Sequence, residues 1–431
     1  MLQRSKMADL ILRADAYLKT PKQTQIIILA LLQMDHVREI IVSFHGRNAE
    51  HIAEMLSQFP RSAPRLQSLH IIPTNPQLQS AISLPDVFPL TDTPCLRQLV
   101  LSRCNFLDWD SMLLTDLTYL KVHWANCRSP CQILDGLHRL PASCHLDLQY
   151  ASPFSGTGMY WGDPVDLPEL KQLRLSARMN DVSFILSHVI INRGASVKIM
   201  CYGRTGTGDI HPDVNKFVSS LSRFLNADEP HPQFLQLTTQ VCSYESPPRV
   251  ILRLATHTTV PSDCEFFRPI HLPRFAVDLD MDDEHGSPGF LLQTIFPTVR
   301  STSLRALAWS NIGPGINTRL IVDISGRLPN LERIRLKGIR SSPFVDALMH
   351  KPSDYNSSPA AWGSVTFPRL YMLEFPQELK VEEIRLLQDC LIERCERNAP
   401  LQQLIIELHT DVGDKDVTLL REIVADLQLK S

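Results

Sequence analysis

The sequence has few of the features that mark a secreted or membrane protein. Its longest apolar run, residues 26–32, is far shorter than the roughly 20 residues that a membrane-spanning helix needs. Charged side chains interrupt the first fifteen residues, so no apolar core of a secretory signal is present there. We therefore expect a cytoplasmic or nuclear protein that does not contact a membrane.

The chain also lacks an excess of charge of one sign. It has 43 Lys and Arg against 46 Asp and Glu, a formal net charge of −3. A protein that binds nucleic acid through bulk charge shows a basic excess, so nucleic acid is not an expected partner. With 44% hydrophobic and 21% charged residues, the composition is that of a globular chain with a sizeable core.

Motifs for metal binding and catalysis are missing as well. Among ten cysteines the close pairs are Cys127 with Cys131 and Cys390 with Cys395, and neither pair has the C-x-x-C spacing of a zinc site. No H-E-x-x-H or G-x-S-x-G motif occurs. We expect no cofactor, no metal and no enzymatic activity. A catalytic group assembled from distant residues leaves no motif, so an enzyme with an unrecognised site stays open as an alternative.

Two segments resemble ligand loops but lack a required residue. The glycine-rich stretch 203–208 precedes Asp209 where a phosphate-binding loop needs Lys, which predicts a flexible turn. The acidic run 278–284 has Asp283 where a calcium loop needs Gly, and Gly289 where it needs Glu. This run is interpreted as a solvated acidic strand end.

Leucine, in contrast, is abundant at about one residue in seven, and it recurs in the pattern L-x-x-L-x-L. The copies that begin between 37 and 117, and those between 304 and 401, start 21 to 39 residues apart, which straddles the period of leucine-rich repeats. The copies are Leu96, Leu99, Leu101; Leu117, Leu120, Val122; Leu170, Leu173, Leu175; Leu304, Leu307, Trp309; Leu331, Ile334, Leu336; Leu370, Leu373, Phe375; and Leu401, Leu404, Ile406, with looser copies at Val37, Ile40, Val42 and Leu66, Leu69, Ile71.

Each copy predicts a short strand whose alternate side chains point into a core. Segments with helical spacing follow at 49–59, 182–192, 214–225, 290–296, 316–328 and 381–395. Prolines lie one or two residues before the first leucine of six copies, where they end the preceding segment: Pro64, Pro94, Pro168, Pro329, Pro368 and Pro400.

The repeats predict an α/β fold, an irregular leucine-rich-repeat solenoid or horseshoe with parallel strands on the concave face and helices on the convex face. We expect a linker and capping helix over 1–35 and one solenoid over 36–431, irregular around 201–283. Within the irregular stretch, 250–255 and 275–280 read as strands.

The segments MLQRSKMADLILRAD, HVREIIVSF, APRLQSLHI, PCLRQLVLSRC and LPELKQLRLS resemble fungal F-box-associated leucine-rich-repeat proteins. The resemblance implies a substrate-recognition role in an F-box ubiquitin ligase, with a Skp-type adaptor as partner only where an F-box is encoded upstream of Met1. Only about a dozen residues precede the recognisable linker, too few for the helices of an F-box, so we expect the F-box itself to be absent from this chain.

In each predicted strand the residues between the leucines point outward, and stacked copies align them on one face. We predict a protein-binding, concave face formed by Tyr119, Lys121, His123, Gln172, Arg174, Arg333, Arg335 and Lys337. An acidic protein segment fits it better than nucleic acid, although these charges could equally be an ordinary solvated face. If the face is exposed, Arg335→Glu should hardly change the melting temperature.

The sequence therefore predicts a monomeric, non-enzymatic protein-binding repeat scaffold whose partner protein it does not identify. Two versions stay open beside the enzyme alternative. One is the recognition part of an F-box ubiquitin-ligase receptor, and the other is a free-standing scaffold unrelated to ubiquitin ligation.

Overall fold

The computed structural model describes residues 9–14, 29, 34–44, 62–73, 82–83, 93–102, 104–105, 109, 114–123, 130–140, 142–149, 162–192, 194–203, 210–225, 234–242, 249–257, 275–282, 288–298, 301–310, 317–325, 328–337, 342–349 and 367–430. The chain divides into two compact units, Met1–Met200 (unit 1) and Cys201–Ser431 (unit 2). From the sequence we expected a single repeat domain, and the division falls where the irregular stretch begins.

The main sheet of unit 1 has the strand order β1-β2-β3-β5-β7-β8-β10-β12, and the pairs of known register from β1 to β10 are parallel. Two short parallel pairs, β4 with β6 and β9 with β11, lie outside it. The strands are β1 (Leu10–Ala14), β2 (Val37–Phe44), β3 (Ser68–Pro73), β4 (Ile82–Ser83), β5 (Gln98–Ser102), β6 (Cys104–Asn105), β7 (Tyr119–His123), β8 (His145–Gln149), β9 (Val165–Leu167), β10 (Gln172–Ala177), β11 (Val189–Ile191) and β12 (Ser196–Gly203), the last of which crosses the unit boundary.

The sheet of unit 2 begins with an antiparallel meander and continues in parallel. Its order is β15-β14-β13-β16-β17-β18-β19-β20, with antiparallel pairing only among β13, β14 and β15 within the described residues. The strands are β13 (Phe234–Cys242), β14 (Arg249–His257), β15 (Phe275–Asp282), β16 (Ala306–Ser310), β17 (Arg333–Lys337), β18 (Met372–Leu379), β19 (Gln403–Leu408) and β20 (Asp426–Lys430).

Helices connect the parallel strands, and helices that follow one another in the sequence pack together within each unit. In unit 1 they are α1 (Pro130–Leu137) and α2 (Met179–His188). In unit 2 they are α3 (Ile210–Leu225), α4 (Pro288–Ile295), α5 (Thr318–Ser325), α6 (Ser342–Met349), α7 (Val381–Glu396) and α8 (Asp414–Ile423). The predicted α/β class, built on a large and mainly parallel sheet, is therefore confirmed.

A tight turn containing proline leads into many of the parallel strands. Leu66 N donates to Ala63 O (3.1 Å), and Leu96 N donates in the same way to Thr93 O (3.0 Å). In both turns proline is the second residue. Its fixed φ suits this position, and the turn needs no hydrogen bond from the amide that proline lacks. The same bond recurs at Leu170, Leu331 and Leu370, each two residues after a proline. The excess of proline before the repeats thus has a structural cause.

A ladder of backbone hydrogen bonds links successive repeats at these strand entries. Arg97 O accepts from both Thr118 N (2.9 Å) and Tyr119 N (3.0 Å) of the next repeat. In unit 2, Glu332 O accepts in the same way from Tyr371 N and Met372 N. Because buried backbone groups must be paired, this ladder gives the amides at the strand entries their hydrogen-bond partners.

The inward leucines form the core of both units. Leu99 and Leu101 in unit 1 and Ile334 and Leu336 in unit 2 are each at most 2% exposed. Burial of each such side chain contributes roughly 1.5 to 3 kcal/mol, so the alternation of apolar and polar residues fixes which side of each strand faces inward. All nine strands predicted from the repeat pattern are present.

The structure departs from the sequence prediction at the N-terminal end of the repeat array. Strand β1 pairs in parallel with β2 inside the region where we expected only a linker and a helix. The helical segment predicted at 49–59 lies outside the described residues, as do most of the predicted capping region and most of the glycine-rich stretch. The strands expected at 250–255 and 275–280 are confirmed, and their antiparallel pairing explains why no copy of the repeat occurs there.

Candidate functional site

We call the side of each main sheet opposite to the buried leucines its outward face. The parallel register of unit 1 aligns its outward side chains in rows that run across the strands. Tyr119, His145 and Gln172 form the first row, and the rings of Tyr119 and His145 lie 5.8 Å apart. The second row is Lys121, Asp147 and Arg174, and the third is His123, Gln149 and Ser176.

Asp147 lies at the centre of this face and contacts a cationic group on each neighbouring strand. Its Oδ2 is 3.7 Å from Lys121 Nζ and 3.2 Å from His123 Nε2, and its Oδ1 is 3.9 Å from Arg174 Nε. The Asp147 side chain is 15% exposed, whereas those of Lys121 and Arg174 are 31% and 35% exposed. The carboxylate is thus enclosed, and the two cations reach the surface.

This arrangement fixes the charge of Asp147. Burial raises the pKa of a carboxyl group, but the interaction with His123 and the positive charges of Arg174 and Lys121 outweigh it and hold the pKa of Asp147 below its usual value. Asp147 is therefore ionised at neutral pH. Burial and then the Asp147 charge also raise the pKa of the Tyr119 hydroxyl, so Tyr119 stays protonated.

The next strand in the sheet, β12, adds one more cation to the outward face beside β10. Lys198 alternates with Val197 and Ile199, which are buried, so it lies on the outward face. Met200 on the same strand contacts Arg174, whose Nη2 is 3.7 Å from the Met200 sulfur. We call Lys121, Asp147, Arg174 and Lys198 the basic row.

Unit 2 also has a carboxylate on its outward face, but there it is sealed from solvent. Glu374 on β18 is 3% exposed and lies 3.0 Å from Arg335 Nη2 on β17. Its Oε1 also accepts a hydrogen bond from Lys430 on β20, 56 residues further along the chain. The side chain of Arg335 is only 14% exposed, whereas that of Lys430 is 44% exposed, so this cluster joins three strands and reaches solvent mainly through Lys430.

The remaining predicted residues of unit 2 differ from one another in exposure. Arg333 donates to the Tyr371 hydroxyl and lies with its guanidinium 5.5 Å from the centre of that ring. Lys337 is exposed. Around them the outward positions of β16, Ala306, Ala308 and Ser310, are buried, as is Ile405 on β19.

Ionisable side chains on the helices are also shielded from solvent, among them Asp181 and Arg394. Burial raises the pKa of Asp181 on α2 to about 7, although the nearby Arg178 opposes this. Arg394 on α7 is 2% exposed and donates from Nη2 to Phe367 O (3.0 Å), so it holds the turn that precedes β18. Neither residue lies on the outward face.

Within the part of the chain that the structure describes, no group of His, Cys, Asp or Glu side chains has the arrangement of a metal site. None of the helices in that part is long and apolar enough to cross a membrane. The side chains of the acidic run at 278–284 lie outside the described part of the chain.

The structure brings together five of the eight residues predicted for the binding face, Tyr119, Lys121, His123, Gln172 and Arg174, around Asp147. It places Arg333, Arg335 and Lys337 on one strand of unit 2, where Arg335 is enclosed. Arg335 was expected at an exposed position, and the buried Glu374 beside it accounts for the difference. Lys198 and Lys430 were missed. Alternation in S-V-K-I-M and D-L-Q-L-K was the available signal, but neither segment has the full repeat.

No protein-family model matches the sequence, and no curated protein is similar to it. The functional interpretation therefore depends on the geometry of the outward faces.

Proposed function

We propose that this chain is a non-enzymatic, protein-binding repeat protein that binds its partner on the outward face of unit 1. One observation carries the proposal. Polar and charged side chains on β7, β8 and β10 are partly exposed and aligned in register, above a core that is fully buried. The paired strands give such a face a rigid backbone, and its side chains differ from strand to strand. Both properties suit recognition of a protein surface.

We further propose that the repeats belong to the leucine-rich type and form an irregular horseshoe, with the outward face as its concave side. Parallel strands entered through a tight turn, and helices that pack in sequence order, are the features that support this. The sequence interpretation gave weight to Arg333, Arg335 and Lys337 as well. We place the binding face on unit 1 because its cations are partly exposed around Asp147, whereas Arg335 is enclosed beside Glu374.

Photo-crosslinking from defined positions tests the proposal. A photoreactive phenylalanine analogue replaces Gln172, which is partly exposed on the outward face, or Asn180, which is exposed on α2. Each variant is irradiated in an extract of the cells that express the protein, and adducts are identified by mass spectrometry. We expect Gln172 to give a discrete protein adduct that is absent from the Asn180 sample. The same adducts from both positions, or adducts from Asn180 alone, would contradict binding at this face.

The ubiquitin-ligase version of this function adds one requirement, which is contact with a Skp-type adaptor. The resemblance of the repeat segments to F-box-associated proteins is its support. Sequencing the 5′ end of the transcript and then measuring adaptor binding by the encoded protein tests it. An in-frame F-box that binds the adaptor supports the receptor version, whereas a transcript starting at Met1 leaves the free-standing scaffold.

A further inference from the structure

We propose that the basic row is a docking site for an acidic protein segment, a short stretch of chain with two or more carboxylate side chains. This inference rests on the proposed function, because it names the partner chemistry of the same outward face. It concerns Lys121, Arg174 and Lys198, with Asp147 between the first two.

The basic row has an excess of positive charge. The basic row contains three cations and one ionised carboxylate, which leaves a local net charge of +2. The other outward residues of β7, β8 and β10 are Tyr, His, Gln and Ser, so no second carboxylate of these strands balances that charge. An acidic partner is the complementary one.

The cations of the basic row have more hydrogen-bond donors than Asp147 can accept. A lysine ammonium has three donors and an arginine guanidinium has five, while Asp147 has only two oxygen atoms to share among its neighbours. The contacts at 3.7 and 3.9 Å from Lys121 and Arg174 are ion pairs that leave most of these donors available. An incoming carboxylate can therefore bind without displacing Asp147.

Two cations of the basic row are held in place before a partner binds. Long cationic side chains lose rotamer freedom when they bind, which weakens association. Asp147, on the strand between them, already restrains Lys121 and Arg174. Part of their rotamer freedom is therefore lost when the protein folds, and less remains to be lost when a partner binds. Neighbouring strands are about 4.8 Å apart and an extended chain advances about 3.3 Å per residue. Lys121 and Arg174 are two strands apart, so in a partner that crosses the strands the acidic residues that face them are roughly three residues apart.

Nucleic acid fits this site less well. Its binding depends on many phosphate contacts along a basic surface, whereas the basic row is a short feature on a chain of net charge −3. Oligothymidylate therefore serves as the competing ligand in the test.

The test uses fluorescence anisotropy with labelled peptides of Gly-Glu-Gly repeats, Gly-Gln-Gly repeats of the same length, and oligothymidylate. The full chain is compared with the double variant Lys121→Gln/Lys198→Gln and with Lys216→Gln, which makes the same change at an exposed position of α3. Thermal unfolding followed by circular dichroism checks that all three proteins are folded.

We expect the glutamate peptide to bind, the glutamine peptide not to bind, and the double variant to bind about fivefold more weakly, while Lys216→Gln resembles the wild type. Added salt should weaken binding. Equal binding of both peptides, an unchanged affinity in the folded double variant, or tighter binding of oligothymidylate would overturn the inference. If Gln172 still cross-links to a protein in any of these cases, the proposed function stands and only the acidic partner is wrong.

Discussion

The two units share the same inward design and differ on their outward faces. In both, buried residues alternate along parallel strands and each strand is joined to the next through the same backbone ladder. In unit 1 the central carboxylate, Asp147, is 15% exposed and has cations that are 31% and 35% exposed around it. In unit 2 Glu374 is 3% exposed and pairs with Arg335, which is 14% exposed, and with Lys430, which is 44% exposed. The Arg335–Glu374 pair is therefore internal structure, whereas the ion pairs of Asp147 lie at the surface.

The comparison depends first on the shared inward core. Leu99→Asp and Leu336→Asp each replace a leucine that is at most 1% exposed with a carboxylate. Each should lower the free energy of unfolding by roughly 4 kcal/mol or more, since apolar burial is lost and an unpaired charge is buried. Urea denaturation followed by circular dichroism measures this. Gln98→Asp and Lys337→Asp, at exposed positions next to these leucines, are the matched controls. A mutant of either leucine that unfolds like its control contradicts the assigned inward face.

The sealed face of unit 2 is tested next. Arg335→Glu places a second carboxylate beside buried Glu374 and removes one of its cations. We expect the free energy of unfolding to fall by roughly 3 kcal/mol, the cost typical of breaking a buried ion pair. This replaces the expectation from the sequence that the substitution is neutral. Lys337→Glu, on the same strand but exposed, should change stability by no more than about 0.5 kcal/mol. Equal effects of the two substitutions would show that the Glu374 cluster is not structural.

The open face of unit 1 should be less sensitive, and its effect should depend on pH. Asp147→Asn should lower the free energy of unfolding by about 1 kcal/mol at neutral pH, because its ion pairs are partly exposed. Folding lowers the pKa of Asp147, so its ionised form stabilises the fold. This contribution is complete above the pKa of about 3.9 in the unfolded chain and is lost as the pH falls through the lower folded value.

Unfolding free energies of the wild type and Asp147→Asn, measured from neutral pH down to about pH 2, check this dependence. Their difference should be constant above about pH 5 and shrink in acid. Asp166→Asn, at an exposed position of the same unit, is the control. A difference that grows in acid, or a loss as large as that of Arg335→Glu, would remove the contrast between the faces.

The smallest expected change in stability is at an inward position of unit 1 that naturally has a serine, Ser143, in place of a repeat leucine. Ser143 is 0% exposed, and its hydroxyl has no hydrogen-bond partner among the described residues. Because a buried hydroxyl without a partner is unfavourable, Ser143→Ala should raise the free energy of unfolding by roughly 0.5 kcal/mol. Urea denaturation compares it with Ser43→Ala, on a partly exposed residue of β2. A clear loss of stability in Ser143→Ala would mean that the hydroxyl is bonded.

The inward half of the fold was predictable because it is local. Three apolar residues in L-x-x-L-x-L specify a strand and its buried side, and a preceding proline specifies the turn, so the strands at Leu99, Leu173 and Leu336 follow from a few residues each. The meander of β13, β14 and β15 was not predictable as such, because antiparallel pairing leaves no repeat period.

The outward half depends on residues that are distant in the sequence. Arg335, Glu374 and Lys430 meet only after three strands are placed in register, and nothing in the sequence around Arg335 indicates a buried partner. Lys198 was not predicted because its segment departs from L-x-x-L-x-L. The buried residues there are Ala195, Val197 and Ile199, so one residue is missing between the first and second apolar positions. Alignment of outward residues was predictable, but their exposure was not.

The most direct test of the account is to compare the reactivity of single lysines on the two faces. Mass spectrometry follows acetylation of Lys121, Lys198 and Lys337 in the full chain, with and without a saturating amount of the glutamate peptide. The account predicts that the peptide slows acetylation of Lys121 and Lys198 on unit 1 and leaves Lys337 on unit 2 unchanged. Protection of Lys337, with Lys121 and Lys198 as reactive as before, would contradict it.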